Sequence, residues 1–184
     1  NGVAIKVFLL DTRYFKDQGE VIDGISQPNT TGTLLGTTQW QWLEKELENS
    51  KADVHLFASG IQAIPEEHRF EKWANFPKER EKLFELISAN NTKHPIILSG
   101  DRHIAEVSKV MYQNQIIYDI TSSSLTHGWS DKREEPNKHR LGKLIYTENY
   151  GVLSISGMTN TLKIDALIKG DDGKILQQQE LLFN

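Results

Sequence analysis

Ile96-Ile97-Leu98-Ser99 runs directly into Gly100-Asp101-Arg102-His103. A short apolar run stops at Ser-Gly and then presents a carboxylate and an imidazole two residues apart. Bounded by Pro95 and Gly100, the run reads as a buried strand. In an extended chain residues i and i+2 point to the same side, so Asp101 and His103 are expected to aim at one point, with Arg102 turned elsewhere. The carboxyl end of a buried strand is also where open α/β sheets place ligands. A hard oxygen donor beside a nitrogen donor suits a divalent or trivalent cation. Taken alone, Gly-Asp-x-His reads more readily as a turn with a solvated Asp and an incidental His, so the rest of the chain must decide.

The 184 residues are enough for one domain with a sizeable core, and 38% apolar with 25% charged residues is the balance of a globular protein. A net charge of -4 gives no electrostatic reason to expect nucleic acid or an anionic membrane as partner. With no cysteine, disulfides, cysteine-ligated zinc and iron–sulfur clusters are excluded. No apolar run reaches transmembrane length. The sequence opens at Asn1, a few residues before a strand, which reads as a cut inside a longer sequence.

Ala4 to Leu10 is expected to be a buried strand. It delivers a second charged pair at its end, Asp11 and Arg13, which reads either as a local salt bridge or Asx turn or as a metal or phosphate contact, Arg13 gripping an oxyanion through its planar fork. Residues 15–36 and 128–148 read as long loops. Thr38 to Gln41 fits a capping box opening a helix that buries Trp40, Leu43 and Leu47 and ends near Asn49-Ser50. Asp53 to Ala58 is a strand carrying His55, read as a satisfied core histidine, and it stops at Ser59-Gly60-Ile61-Gln62. Pro77 opens a second helix that buries Leu83, Phe84, Leu86 and Ile87. Glu106 to Tyr112 and Gln115 to Ile120 read as two strands about an Asn114 turn, leading into a hydroxyl run at Thr121 to Ser124 that reads as the lining of a polar cavity or, more readily on composition, as a helix cap. His127 and His139 are expected to be solvent-exposed. The tail alternates as strands, with a hairpin turn at Gly170-Asp171-Asp172-Gly173.

In order and spacing these segments resemble the alkaline phosphatase D, or PhoD-like, family of metal-dependent phosphatases and phosphodiesterases. The matching residues are Leu10-Asp11-Thr12-Arg13-Tyr14, Leu35-Gly36 with Gln39-Trp40 and Trp42-Leu43, and Ser59-Gly60-Ile61-Gln62. They continue through Trp73, Phe76-Pro77 and Arg80, Leu98 to His103, Asp119 to Ser124, and Tyr150-Gly151. The resemblance implies an α/β (α+β) fold of the calcineurin-like metallophosphoesterase kind: a mixed β-sheet sandwich flanked by helices, with metals held by loops at strand ends. Gly100-Asp101-x-His103 is similar to that superfamily's last metal motif, Gly-His-x-His, with Asp101 in place of the first histidine. The resemblance therefore implies His103 on one metal and Asp101 on the other. Gln62 falls where many relatives carry a metal-binding histidine, and Asp11 and Arg13 match the family's Leu-Asp-x-Arg, a contact to the metals or to phosphate.

The superfamily's earlier motifs, with the carboxylate that bridges the metals, have no match here. Residues 1–184 thus read as the carboxyl-terminal half of the phosphatase domain, with the amino-terminal half as its partner and only part of the two-metal site. What the resemblance implies is hydrolysis of a phosphate ester by metal-activated water, with Arg13 and His103 catalytic. The ions would be iron with calcium, or alternatively manganese or zinc. Export to the periplasm or medium is typical of the family. The alternative reading is a non-catalytic relic or interaction module with the same fold and no metal.

Overall fold

The computed structural model describes residues 2–129, 134–158 and 161–183. The first apolar run forms strand β1 (Ile5–Leu10), and a two-stranded ladder follows from β2 (Val21–Ile22) and β3 (Ile25–Ser26). Helix α1 (Gly36–Glu48) leads to β4 (Val54–Ser59), and a single 3-10 turn at Trp73–Asn75 leads to helix α2 (Pro77–Ala89) and β5 (Pro95–Ser99). An antiparallel pair, β6 (Ala105–Tyr112) and β7 (Gln115–Ser122), precedes β8 (Arg140–Ile145). The chain closes with β9 (Asn149–Ser156), β10 (Lys163–Gly170) and β11 (Ile175–Glu180).

A six-stranded sheet runs in the order β1-β4-β5-β7-β6-β8, and β11-β10-β9 form a second sheet of three. β1, β4, β5 and β7 are mutually parallel, while β6 runs against both β7 and β8. Strand periodicity splits the core in two. Phe8, Leu10, Phe57, Ile97 and Ile117 face the helices and pack with Trp40, Leu43, Leu83, Phe84 and Ile87. Val54, Ile96, Tyr118 and Ile120 face the small sheet and pack with Ile164, Ala166 and Ile168. Layered between helices and a second sheet, β4 and β5 are buried on both faces, which is why they read as near-continuous apolar runs.

Several elements depart from expectation. β1 is not buried on both faces: it is an edge strand, and Ile5, Val7 and Leu9 are 46%, 52% and 75% exposed beyond the reach of the small sheet. The stretch 15–36 contains the β2–β3 ladder, turned by Asp23-Gly24 with both residues at positive φ, a turn signal the loop reading passed over. Within 128–148, of which residues 130–133 lie outside the described residues, β8 forms at the sheet edge from a charged, glycine-containing sequence. α1 opens at Gly36, two residues before the predicted Thr38 cap, and no side chain of its own caps it. Instead the Glu79 carboxylate of α2 accepts the Leu34 and Leu35 amides at 2.7 and 3.2 Å and the Trp40 indole N–H at 2.8 Å. His139 is not solvent-exposed but half-buried, its Nε2 3.2 Å from Glu66 Oε1. The second helix begins at Pro77 as expected, and the 170–173 turn closes β10 onto β11 with Gly173 at φ +78°.

Candidate active site at the carboxyl ends of the parallel strands

Because β1, β4, β5 and β7 are parallel and adjacent, the loops after Leu10, Ser59, Ser99 and Ser122 all leave the sheet at one edge. Arg13, three residues past β1, and Asp101, two residues past β5, meet there, Nη2 to Oδ1 at 3.0 Å. The other arm of the guanidinium, Nη1, is held by Glu71, which also takes the Lys16 ammonium. Burial alone would push the Glu71 carboxyl up, but the hydrogen bond and charge of Lys16 and the charge of Arg13 outweigh it and hold the group below the ordinary carboxylate range. Glu71 carries no motif signal, and sequence reading passed it over.

Asp101 and His103 alternate with Arg102 in exposure, but not through an extended backbone. β5 ends at Ser99, and both residues adopt left-handed φ, +71° and +52°. Asp101 and His103 are exposed while Arg102 between them is buried. Arg102 is the anchor of this loop. Its Nη2 donates to both Glu135 carboxylate oxygens at 2.8 and 2.7 Å, its Nη1 to Gln62 Oε1 at 3.2 Å, and its guanidinium lies 4.5 Å over the Phe70 ring.

Gln62 is fully buried beneath the loop. Its Nε2 donates to Glu106 Oε1 and Thr121 Oγ1, both at 2.7 Å. The hydroxyl run does not cap a helix as predicted. Thr121 Oγ1 lies 2.9 Å from Ser99 Oγ, which donates to Asp119 Oδ1 at 2.6 Å. Ser122 donates to Asn149 Oδ1 at 2.8 Å and Ser123 to the Ile104 carbonyl at 3.2 Å. Asp119 Oδ2 accepts the Ala63 and Ile64 amides, at 2.8 and 3.0 Å, and burial pushes its carboxyl up to about 6 against those bonds. The site loops thus rest on a buried polar frame linking β4, β5, β6 and β7 through these hydrogen bonds, while the buried Ser124 hydroxyl has no partner among the described residues.

Asp11 forms the Asx turn that was one of its two sequence readings. Its Oδ1 accepts the amides of Arg13 and Tyr14 at 2.8 and 2.9 Å, and those two bonds hold its carboxyl below the usual range. Gln39 at the start of α1 clamps Asp11 from the other side, accepting its N–H at 2.8 Å and donating to its carbonyl at 2.9 Å. A Cβ at Gly60 would meet Thr12 Oγ1 at 2.7 Å, so a side chain there would force the buried Thr12 hydroxyl to move. His55 is the satisfied core histidine expected, between Ser50 Oγ and the Lys93 carbonyl. His127 is exposed as expected, but its ring lies edge-on to His103, centroids 5.4 Å apart.

Asp101, His103 and Asp11 are donors of the right type for a hard-to-borderline cation. Their number is not sufficient: among the described residues no group of three or more His, Cys, Asp or Glu side chains converges. Among the described residues, these donors do not by themselves complete a metal centre.

The model of the PhoD-like phosphatase family matches residues 1–161. Alkaline phosphatase D of Bacillus subtilis (strain 168) is 29% identical over 131 residues, a region that is 64% of this chain and 22% of that protein. A solved structure titled "Structure of PhoD" covers 98% of this chain with a TM-score of 0.68 at 18% identity, and the match spans 42% of that structure's chain. The chain therefore spans less than half the length of these two relatives, while the sheet order and helix placement agree with an α/β metallophosphoesterase-like fold. With most of its length inside the family's match, this chain belongs to the PhoD-like phosphatase family.

Proposed function

We propose that this chain provides part of a metal-dependent centre that hydrolyses phosphate esters. The observation that best supports this reading is the 3.0 Å contact between Arg13 and Asp101, which joins two family motifs distant in sequence at the carboxyl edge of the parallel strands. In this reading Asp101 and His103 are metal donors and Asp11 is a further carboxylate. Gln62 would have to leave Glu106, Thr121 and Arg102 to meet an ion. Its proposed part is therefore to hold Arg102, and through it the loop that carries Asp101 and His103. The missing donors, including a bridging carboxylate, would come from the part of the relatives' length that this chain does not span. Hard carboxylate and borderline imidazole donors accept iron with calcium, manganese or zinc alike.

This chain's own residues bind and orient. Glu71 secures Nη1 of Arg13, leaving Nη2 as the arm that passes from Asp101 to a phosphate oxygen when substrate arrives. A guanidinium fork at that place offsets the charge that builds on the equatorial oxygens during in-line displacement. His103, exposed two residues after Asp101, is the second residue assigned to catalysis.

The exposed stripe of Ile5, Val7 and Leu9 supports the expectation of a partner half-domain. A bare apolar sheet face at an open edge is a docking surface or an aggregation liability. Export from the cytoplasm is proposed on family likeness; among the described residues no helix is long and apolar enough to cross a membrane.

The test is hydrolysis of a chromogenic phosphate ester by the chain extended to the length of its relatives, with metals supplied. Turnover that His103→Ala abolishes without changing the circular dichroism spectrum is the expected result. Wild-type turnover in that variant removes His103 from the site. An inactive extended protein ends the enzyme reading and leaves the relic, for which the unfinished donor set among the described residues is the supporting observation.

A further inference from the structure

His103 and His127 come from loops that leave neighbouring parallel strands, β5 and β7, whose last paired residues are Ser99 and Thr121. The loops are tied together next to His103 and four residues before His127: the Ser123 amide and hydroxyl both donate to the Ile104 carbonyl, at 3.1 and 3.2 Å. The two loops that carry the imidazoles are thus joined through the backbone. Both are exposed, they stand edge to face at 86°, and their centroids are 5.4 Å apart. Neither makes a side-chain hydrogen bond to any other described residue, whereas His55 and His94 bond backbone carbonyls and His139 contacts Glu66. Two imidazoles whose only described partner is each other need an account.

A cation bonded to one nitrogen of each ring at about 2.0–2.1 Å, with a near-tetrahedral angle between the bonds, separates the ring centroids by roughly 5–6 Å. The observed 5.4 Å lies in that range. Neutral imidazole pairs favour borderline ions, zinc with its cobalt, nickel and copper neighbours, over the hard calcium or magnesium. Asp101, two residues from His103, is engaged by Arg13, so the imidazoles are the donors free to meet an incoming ion. We propose that His127 is a metal ligand that acts with His103, the two rings gripping a single borderline divalent cation whose remaining positions are open to water or to a substrate oxygen. This shares His103 with the phosphoesterase reading and adds a ligand from the segment after β7, which the Gly-Asp-x-His motif does not contain.

The test needs no turnover. On the full 184-residue chain, zinc titration calorimetry is expected to find one site, weakened at least about tenfold by His127→Ala and equally by His103→Ala. In proton NMR the first additions of Cu2+ are expected to broaden the Cε1–H signals of His103 and His127 together, ahead of His55, His68, His94 and His139. Zinc binding by His127→Ala that equals wild type, or broadening of His103 without His127, overturns the proposal. Either result leaves His103 available to the phosphoesterase centre, and loss of ester hydrolysis in the extended protein leaves the two-imidazole site intact. The two readings therefore fail separately.

Discussion

His68 is buried at 5% exposure, and neither ring nitrogen has a hydrogen-bond partner among the described residues. Burial first, then the charges of Arg102 and Lys72, push its pKa from 6.5 down to about 2. A base depressed in the folded state contributes stability that is full above its unfolded pKa and is lost as pH falls. The penalty therefore starts near pH 6.5 and reaches roughly 2 kcal/mol at pH 5. His68→Phe, which has no proton to take up, is expected to unfold in urea with a shallower dependence of stability on pH between 6.5 and 5 than wild type. An unchanged slope means His68 is hydrated or partnered in solution. Nothing in the Glu66-Glu67-His68-Arg69 sequence announces this burial; it comes from tertiary packing, in which the Phe70 ring lies 6.2 Å from the imidazole and carries the Arg102 guanidinium. Asp101 and His103 were legible as residues turned away from Arg102, because their spacing in the sequence carries it. That this comes from alternate left-handed residues about a buried Arg102 was not legible, since it depends on Glu135, far along the chain.

At the level of elements, α1 and α2 were readable from their apolar stripes and from Pro77, because i, i+3, i+4 spacing is a local property. The start of α1 was misread because its terminus is satisfied from another helix. Glu79 serves the amides of Leu34 and Leu35, the Thr33 hydroxyl and the Trp40 indole. A carboxylate there also meets the positive end of the α1 dipole. Glu79→Ala leaves buried donors without acceptors and is expected to cost about 2–4 kcal/mol, read as a drop in the urea midpoint. Glu79→Gln, which keeps an oxygen in place, is expected to recover more than half of that. Equal losses in the two variants would assign the effect to charge and not to the unsatisfied donors. The strands β2, β3 and β8 escaped sequence reading for a related reason. Short or charged edge strands carry no apolar period of their own and exist because a neighbour offers hydrogen bonds.

At the scale of the whole molecule, the small sheet covers the middle of the large one and leaves Ile5, Val7 and Leu9 of β1 bare. An open edge with an apolar face predicts concentration-dependent self-association of the isolated chain. The double variant Val7→Lys, Leu9→Lys is expected to sediment as a monomer under the same conditions; a wild-type chain that is monomeric at high concentration refutes this account of the face. The sequence by itself determined the longer apolar strands, the two helices, the hairpin at Gly170 to Gly173, and which charged residues end up at strand termini. These are properties of periods two and 3.6 and of turn chemistry, and they are written within a few residues of where they act. Only the tertiary structure decided that Arg13 reaches Asp101, that Gln62 is bound on both sides of its amide beneath the site, that Arg102 and Glu135 lock the motif loop, and that His127 stands beside His103. Each of these joins residues tens of positions apart, and the parallel order of β1, β4, β5 and β7 is what brings their carboxyl ends to one edge.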